Sequence, residues 1–181
     1  MSDDDLYRAY LSGDSEAGDQ LMLRHGDALT AYLDAFLHNA QDAEDLMLDC
    51  FTVILVDKPR IEDGHFHAYL FRVARNKAVR LWRLKRKRGE FSLDEALLAQ
   101  GGSPEEIVWR SERDRAVHRC LNRIAPQYRE ALWLIFDGRL SYAQAAEVLR
   151  CNTKKVDNLL TCGKKQLRKE LEREGIVGED F

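Results

Sequence analysis

Proline lacks a backbone N–H and blocks a helix interior, so its spacing limits where long helices can run. This chain has three prolines in 181 residues, Pro59, Pro104 and Pro126, and each lies at the edge of a helically periodic stretch. Glycine is also sparse, at 11 residues. An all-α chain of long helices is therefore expected in preference to a turn-rich sheet. Apolar residues make up 45% of the chain, enough to bury a core, and the length allows one domain or two small ones. Charges interrupt every apolar run far short of the ~18 residues a membrane span needs. The acidic start Met1-Ser2-Asp3-Asp4-Asp5 lacks the basic-then-apolar order of a secretory signal. We expect a soluble, cytoplasmic protein with no membrane insertion.

The periodicity divides this helical chain further. A short acidic helix is expected near Asp4–Leu11. A long one follows, capped by Asp14 or Ser15, reaching about Asn39 and burying Leu21, Leu29, Leu33 and Phe36. Asp42 is the expected cap of a third helix that stops before Lys58-Pro59, with Ala43, Leu46, Met47, Cys50, Phe51 and Ile54 as its core stripe. Leu48 and Leu55 fall beside that stripe, as part of a wide core face or as a partner-binding edge. A fourth helix runs from His65 or Phe66 to about Arg86, burying Phe66, Tyr69, Leu70, Val73, Leu81 and Leu84. Residues 89–103 show weak helical pattern, contain Gly101-Gly102 and read as a flexible linker between domains 1–88 and 104–181. Ser103-Pro104-Glu105-Glu106 is a helix start with a Ser cap and Pro at the first position, leading into Ile107, Val108, Val117 and Leu121. Pro126 opens the next helix, which closes at Asp137-Gly138. Ser141 to Gln144 is a capping box for a short helix to about Leu149. After Arg150-Cys151-Asn152 a helix runs from Thr153 through Lys169.

The formal net charge of −3 conceals a strong division. Residues 1–57 carry −11, residues 58–88 carry +9, residues 89–138 carry −3 and residues 139–181 carry +2. Arg72 to Gly89 contains nine bases and no acid, which is more than a solvated helix face requires. Phe71, Ala78 and Trp82 occupy a sector next to Arg75, while Arg72 and Arg83 take the polar side. Either aromatic, taken alone, suits a core. Beside an uncompensated cationic face, aromatics suit single-stranded nucleic acid, whose bases stack while guanidinium groups hold phosphates. The short helix, tight turn and longer basic helix near the end form a helix-turn-helix pattern. Arg150 to Lys169 holds seven bases and one acid. With Val156, Leu160 and Leu167 inward, Lys154, Lys155, Asn158, Thr161, Lys164 and Lys165 are left for an outer, duplex-facing side.

Catalytic and metal-binding patterns are missing from the sequence. Cys50, Cys120, Cys151 and Cys162 are scattered, without metal-ligand spacing, and are expected to be reduced and mostly buried. The sequence contains no phosphate loop, nucleophile elbow or metalloprotease motif. The expectation is no cofactor, no metal, no small-molecule substrate and no enzymatic activity.

Taken in order, these segments resemble the extracytoplasmic-function sigma factors of bacterial RNA polymerase, over about residues 6–88 and 104–172. Asp42-Ala43-Glu44-Asp45-Leu46 with Phe51 is similar to that family's core-binding region. Phe66 to Arg83, centred on Tyr69-Leu70-Phe71-Arg72-Val73-Ala74-Arg75-Asn76, is similar to its promoter-melting and −10-reading regions. Ile124-Ala125-Pro126 with Arg129, then Ser141-Tyr142 and Val156, resemble its region 4. The resemblance departs at Leu48, Arg80, Gln144-Ala145, Leu159 and Cys162, where the family usually carries other residues.

The resemblance implies two helical domains, with region 2 as a bundle and region 4 as a helix-turn-helix. It implies core polymerase contacts, on the β′ clamp, at Asp42, Glu44, Asp45, Leu48 and Asp49. It implies capture of an unpaired −10 strand by Lys58, Arg60, His65, Arg72, Arg75, Asn76, Arg80, Trp82 and Arg83. The −35 duplex would meet Lys154, Lys155, Asn158, Thr161, Lys164, Lys165 and Arg168, with the β flap on the other face of that domain. An anti-sigma factor is a further possible partner. The alternative is a helix-turn-helix regulator that binds DNA without core polymerase.

Overall fold

The computed structural model describes residues 1–89 and 112–176, and every regular element among them is an α-helix. The first unit contains α1 (Asp3–Leu11), α2 (Ser15–Leu37), α3 (Ala40–Asp57) and α4 (Phe66–Lys87). The second contains α5 (Glu112–Arg123), α6 (Pro126–Phe136), α7 (Tyr142–Leu149) and α8 (Thr153–Arg173). None of these helices is long and apolar enough to cross a membrane. The expected linker and the Ser103 helix start lie outside the described residues.

Local chemistry sets most of the boundaries. Ser2 and Asp5 cap α1 reciprocally, and Asp3, Asp4 and Asp5 place negative charge at the positive end of its dipole. Asp14 caps α2 by accepting from the N–H groups of Glu16 and Ala17. The cap of α3 is Asn39, which accepts from the Asp42 N–H, so the expectation that Asp42 caps this helix is corrected. Asn competes equally well for that position, and starting three residues earlier satisfies one more turn of backbone. Lys58 ends α3 in the left-handed conformation, and Pro59 cannot donate to continue it. The second unit keeps the Ser141–Gln144 capping box, and α8 starts at Thr153 as expected under an Asn152 cap. It runs one turn beyond Lys169, to Arg173. Arg123 on α5 pairs with Glu174 at 2.5 Å, closing the end of the unit.

In the first unit α1 lies across α2 and is tied to α3 and its exit loop. Tyr10 donates to the Leu55 carbonyl at 2.8 Å, and Tyr7 donates to the Pro59 carbonyl at 2.7 Å. A β-carbon at Gly18 would sit 2.8 Å from the Tyr10 ring, so only glycine permits this approach. Leu21, Leu29, Leu33, Phe51, Ile54, Phe66 and Leu70 fill the core beneath. In the second unit Cys120, Leu134, Val148, Val156, Leu160 and Leu171 do the same. Gly163 lets α8 press on α6, since a β-carbon there would meet Tyr128 and Leu132 at 3.2 Å.

The buried stripe of α4 is rotated from the one expected. Its buried residues are Phe66, Ala68, Leu70, Phe71, Ala74 and Ala78, whereas Leu84 is exposed and Tyr69, Val73 and Leu81 are only partly covered. Neighbours pack on α4 from two directions, the first unit's own helices and the second unit, so small alanines are buried at close approach. Phe71 is therefore a core residue and not a stacking platform. Cysteine burial is likewise mixed: Cys50 and Cys120 are buried, Cys151 is partly covered and Cys162 is exposed.

Candidate nucleic-acid interface

Helix α4 places Asn76, Arg80, Arg83 and Lys87 at intervals of four, three and four residues, which puts them on one face. With Arg75, Val79, Leu84 and Arg150 from the turn before α8, they line a groove of about 390 Å³. No carboxylate belongs to this lining. Such a surface concentrates phosphate groups, because several cations share one concave, partly desolvated space.

The remaining expected −10 residues are not equally open. Arg80 and Arg83 are exposed, as is Arg60 in the loop before α4. Lys58 folds over the Tyr10 ring at 5.2 Å, and Arg72 over Tyr69 at 5.0 Å. Trp82 is 37% exposed, with the Arg86 guanidinium 5.3 Å from its ring centre. An accessible ring beside a guanidinium is the pairing a stacked base requires, and it makes Trp82 the aromatic of this face in place of Phe71.

Three expected residues are engaged by the second unit. His65 Nδ1 lies 3.0 Å from Glu147 Oε1. Asn76 Oδ1 accepts from Arg150 Nη2 at 3.2 Å. Arg75 donates through Nε to Glu130 Oε1 at 2.7 Å, and Tyr32 donates to the same oxygen at 2.8 Å. Burial works against the charge of Arg75, but the hydrogen bond and charge of Glu130 outweigh it and raise its pKa further. Burial, and then the adjacent carboxylate, push the Tyr32 phenol well above its ordinary value, so it remains a donor. Glu130, Trp133, Glu147 and Arg150 are functional candidates that helical period alone does not reveal, because their partners lie over fifty residues away.

The expected core-binding residues form the outer side of α3. Glu44, Asp45 and Leu48 are exposed, Leu48 to 51%. Asp42 pairs with Lys85 of α4, and Asp49 with Lys77 at 3.4 Å. The seven expected −35 residues, Lys154, Lys155, Asn158, Thr161, Lys164, Lys165 and Arg168, are all exposed on α8, with Val156, Leu160 and Leu167 inward. Lys164 lies 5.1 Å from the Phe136 ring centre, and Arg168 pairs with Glu172 at 3.2 Å. Helices α7 and α8, joined at the left-handed Arg150, have the geometry of a helix-turn-helix whose second helix is free to enter a groove. No group of three or more His, Cys, Asp or Glu suited to a metal occurs among the described residues.

A helical bundle with a cationic groove, joined to a helix-turn-helix, defines a nucleic-acid-binding protein of two domains. Residues 21–88 match the model of Sigma-70 region 2, and residues 114–167 match that of Sigma-70, region 4. The chain is 31% identical to the RNA polymerase sigma factor CnrH of Cupriavidus metallidurans, covering 81% of this chain and 82% of that protein. It is 28% identical to the RNA polymerase sigma-H factor of Pseudomonas aeruginosa, covering 82% and 83% respectively. Among solved structures, CnrH in complex with the cytosolic domain of CnrY superposes with a TM-score of 0.68 at 25% identity, over 93% of this chain and 96% of that one. The sigma factor RpoE bound to the anti-sigma factor NepR, from Bartonella quintana, has the same fold, with a TM-score of 0.66 at 24% identity, over 85% and 96%. The chain belongs to the sigma-70 family, in its extracytoplasmic-function group. It works with core RNA polymerase and promoter DNA in transcription initiation, and a regulator acting without polymerase is not favoured.

Proposed function

We propose that the two units divide promoter recognition between them, residues 1–88 taking the −10 element and residues 104–181 the −35 element. The groove on α4, lined by cations and by no acid, is the observation that carries this reading. Arg80 and Arg83 hold phosphates of the unpaired strand, and Trp82 with Arg86 supplies a stacking surface. Arg75 and Asn76 approach base edges or phosphates deeper in the same face. Lys58, Arg60, His65 and Arg72 flank the strand. On α8 the N-terminal Lys154, Lys155 and Asn158 lie closest to the duplex, and Thr161, Lys164, Lys165 and Arg168 follow its backbone. The exposed acids and Leu48 of α3, together with Asp42 and Asp49, meet the β′ clamp, and the second unit meets the β flap.

Polymerase performs the chemistry, so this chain contributes binding and orientation and is not an enzyme. It acts in the cytoplasm, where polymerase and DNA are. The complexes of CnrH with the cytosolic domain of CnrY and of RpoE with the anti-sigma factor NepR support an anti-sigma factor as a further partner. Run-off transcription with core polymerase on a library of genomic fragments tests the reading. Initiation at discrete promoters is expected, and replacing Arg80 and Arg83 with Ala should reduce open complexes without reducing holoenzyme assembly. Failure to bind core, or to direct initiation at any fragment, rejects the reading.

A further inference from the structure

The loop between α3 and α4 carries Lys58, Arg60 and His65, and little of its own backbone holds it in place. Pro59 has no N–H to give. Among the described residues, the backbone bond that closes the loop on itself runs from the His65 N–H to the Glu62 carbonyl, at 3.1 Å. Within the first unit the loop takes its position from α1. The buried Tyr7 meets it at both ends. Its hydroxyl donates to the Pro59 carbonyl at 2.7 Å, and its ring centre lies 5.3 Å from that of Phe66, where α4 starts. Tyr10 holds the last turn of α3 through the Leu55 carbonyl at 2.8 Å and carries Lys58 Nζ 5.2 Å from its ring centre. Arg8 donates to Asp63 at 2.7 Å and so offsets an acid that stands among the loop's cations. Ile61 packs partly buried against the core, which leaves Arg60 exposed between two fixed neighbours.

The Pro59 carbonyl and the Arg60 N–H share one rigid peptide plane. Fixing that carbonyl therefore fixes the direction in which Arg60 leaves the loop. A guanidinium fork discriminates between bases only when it approaches in a defined direction. A side chain already aimed also loses less freedom on binding than one on a wandering loop. We propose that α1 braces the loop before α4, and that Tyr7 is a positioning residue which sets that loop's base preference in the −10 strand through Arg60 and Lys58. Tyr7 is buried and acts only through the backbone it holds. This inference rests on the reading above that Lys58 and Arg60 flank the strand.

The test uses holoenzyme reconstituted with the full chain and a promoter fragment recovered by the run-off selection, randomised through its −10 element. Each template carries a barcode in its transcribed part, so sequencing the transcripts gives the base preference at every −10 position. Tyr7→Phe keeps the ring against Phe66 and removes only the hydroxyl. At one −10 position, or two adjacent ones, it should reduce the preference for the favoured base by at least about threefold, within the range for loss of one hydrogen bond. Affinity for core and preference at the other positions should match the parent, which a general loss of stability would not produce. Lys58→Ala with Arg60→Ala should flatten preference at the same position, and adding Tyr7→Phe to that pair should cost nothing more. Should Tyr7→Phe melt early, Arg8→Ala, at an exposed site, should relax the same position. Unchanged preference in both variants, an even loss over all positions, or a further loss on top of the Lys58 and Arg60 replacements overturns the proposal. If the Lys58 and Arg60 replacements themselves leave preference unchanged, or the selection yields no promoter, the strand reading of this loop falls together with the inference.

Discussion

Helices α4 and α8 are both long and basic, and both meet nucleic acid in the reading proposed above, but they deploy their charge differently. On α4, Lys77 and Lys85 pair with acids of α3, and Arg75 pairs with Glu130 of α6. On α8, the acids that pair with its cations belong to the same helix, Glu172 with Arg168 and Glu170 with Arg173, both near its C-terminal end. The difference follows from packing. Helix α4 is contacted from both sides and its Phe71 is fully buried, whereas α8 presents a whole face to solvent. A basic helix in the interior of an assembly has to satisfy the fold and the ligand with the same residues. One at the surface can reserve its cations for the ligand.

If that contrast holds, the largest effect belongs to the centre of α4. Phe71→Ala should lower stability by about 3–5 kcal/mol in urea unfolding, because the cavity lies beneath Tyr32, His67 and Trp133. Lys164→Ala on α8 should stay within about 0.5 kcal/mol. A cost below about 1 kcal/mol for Phe71→Ala would remove the structural half of the contrast. On α8, replacing Lys154 and Lys155 with Ala should leave stability unchanged and flatten the salt dependence of holoenzyme binding to −35 duplex by about two units. An unchanged slope would remove both residues from the phosphate contacts.

The smallest effect lies away from both helices, at Asp3. Its carboxyl is held down to about 2, chiefly by His25 and also by Arg24, against the opposing effect of burial. His25 Nε2 is 2.9 Å from Asp3 Oδ2 but is poorly aligned for a hydrogen bond. Since the folded value lies below the ordinary 3.8, the contribution is present above about pH 4 and is lost as pH falls through about 2. Asp3→Asn should therefore flatten the acid limb of the stability curve in that window and leave α4 and α8 unaffected. A limb as steep as the parent's would place the acid sensitivity elsewhere.

Legibility from sequence varied with how local the cause was. Caps and helix ends are local, and Ser141, Asn152, Pro126 and the break at Lys58-Pro59 lie where their chemistry requires. Asn39 was less legible because two suitable caps stand three residues apart. The inward side of α8 followed from one period, as α5, α6 and α7 all pack on the same side of it. On α4 the same method favoured large residues and passed over Ala68, Ala74 and Ala78, which are buried because two surfaces approach closely. The basic block and the helix-turn-helix were legible as composition and order. That Arg75 meets Glu130, or Asn76 meets Arg150, was not, since no periodicity relates residues on separate units.

The ion pairs between α3 and α4 also bear on how such a protein searches. The −11 of residues 1–57 and the +9 of residues 58–88 leave the first unit at −2. The pairs Lys85–Asp42 and Lys77–Asp49 hold opposite charges within a Debye length of about 8 Å of each other. A chromosome several such lengths away meets a nearly neutral, slightly acidic body and exerts little pull on it. If the groove binds a strand as proposed, its cations act at contact distance and add little long-range attraction.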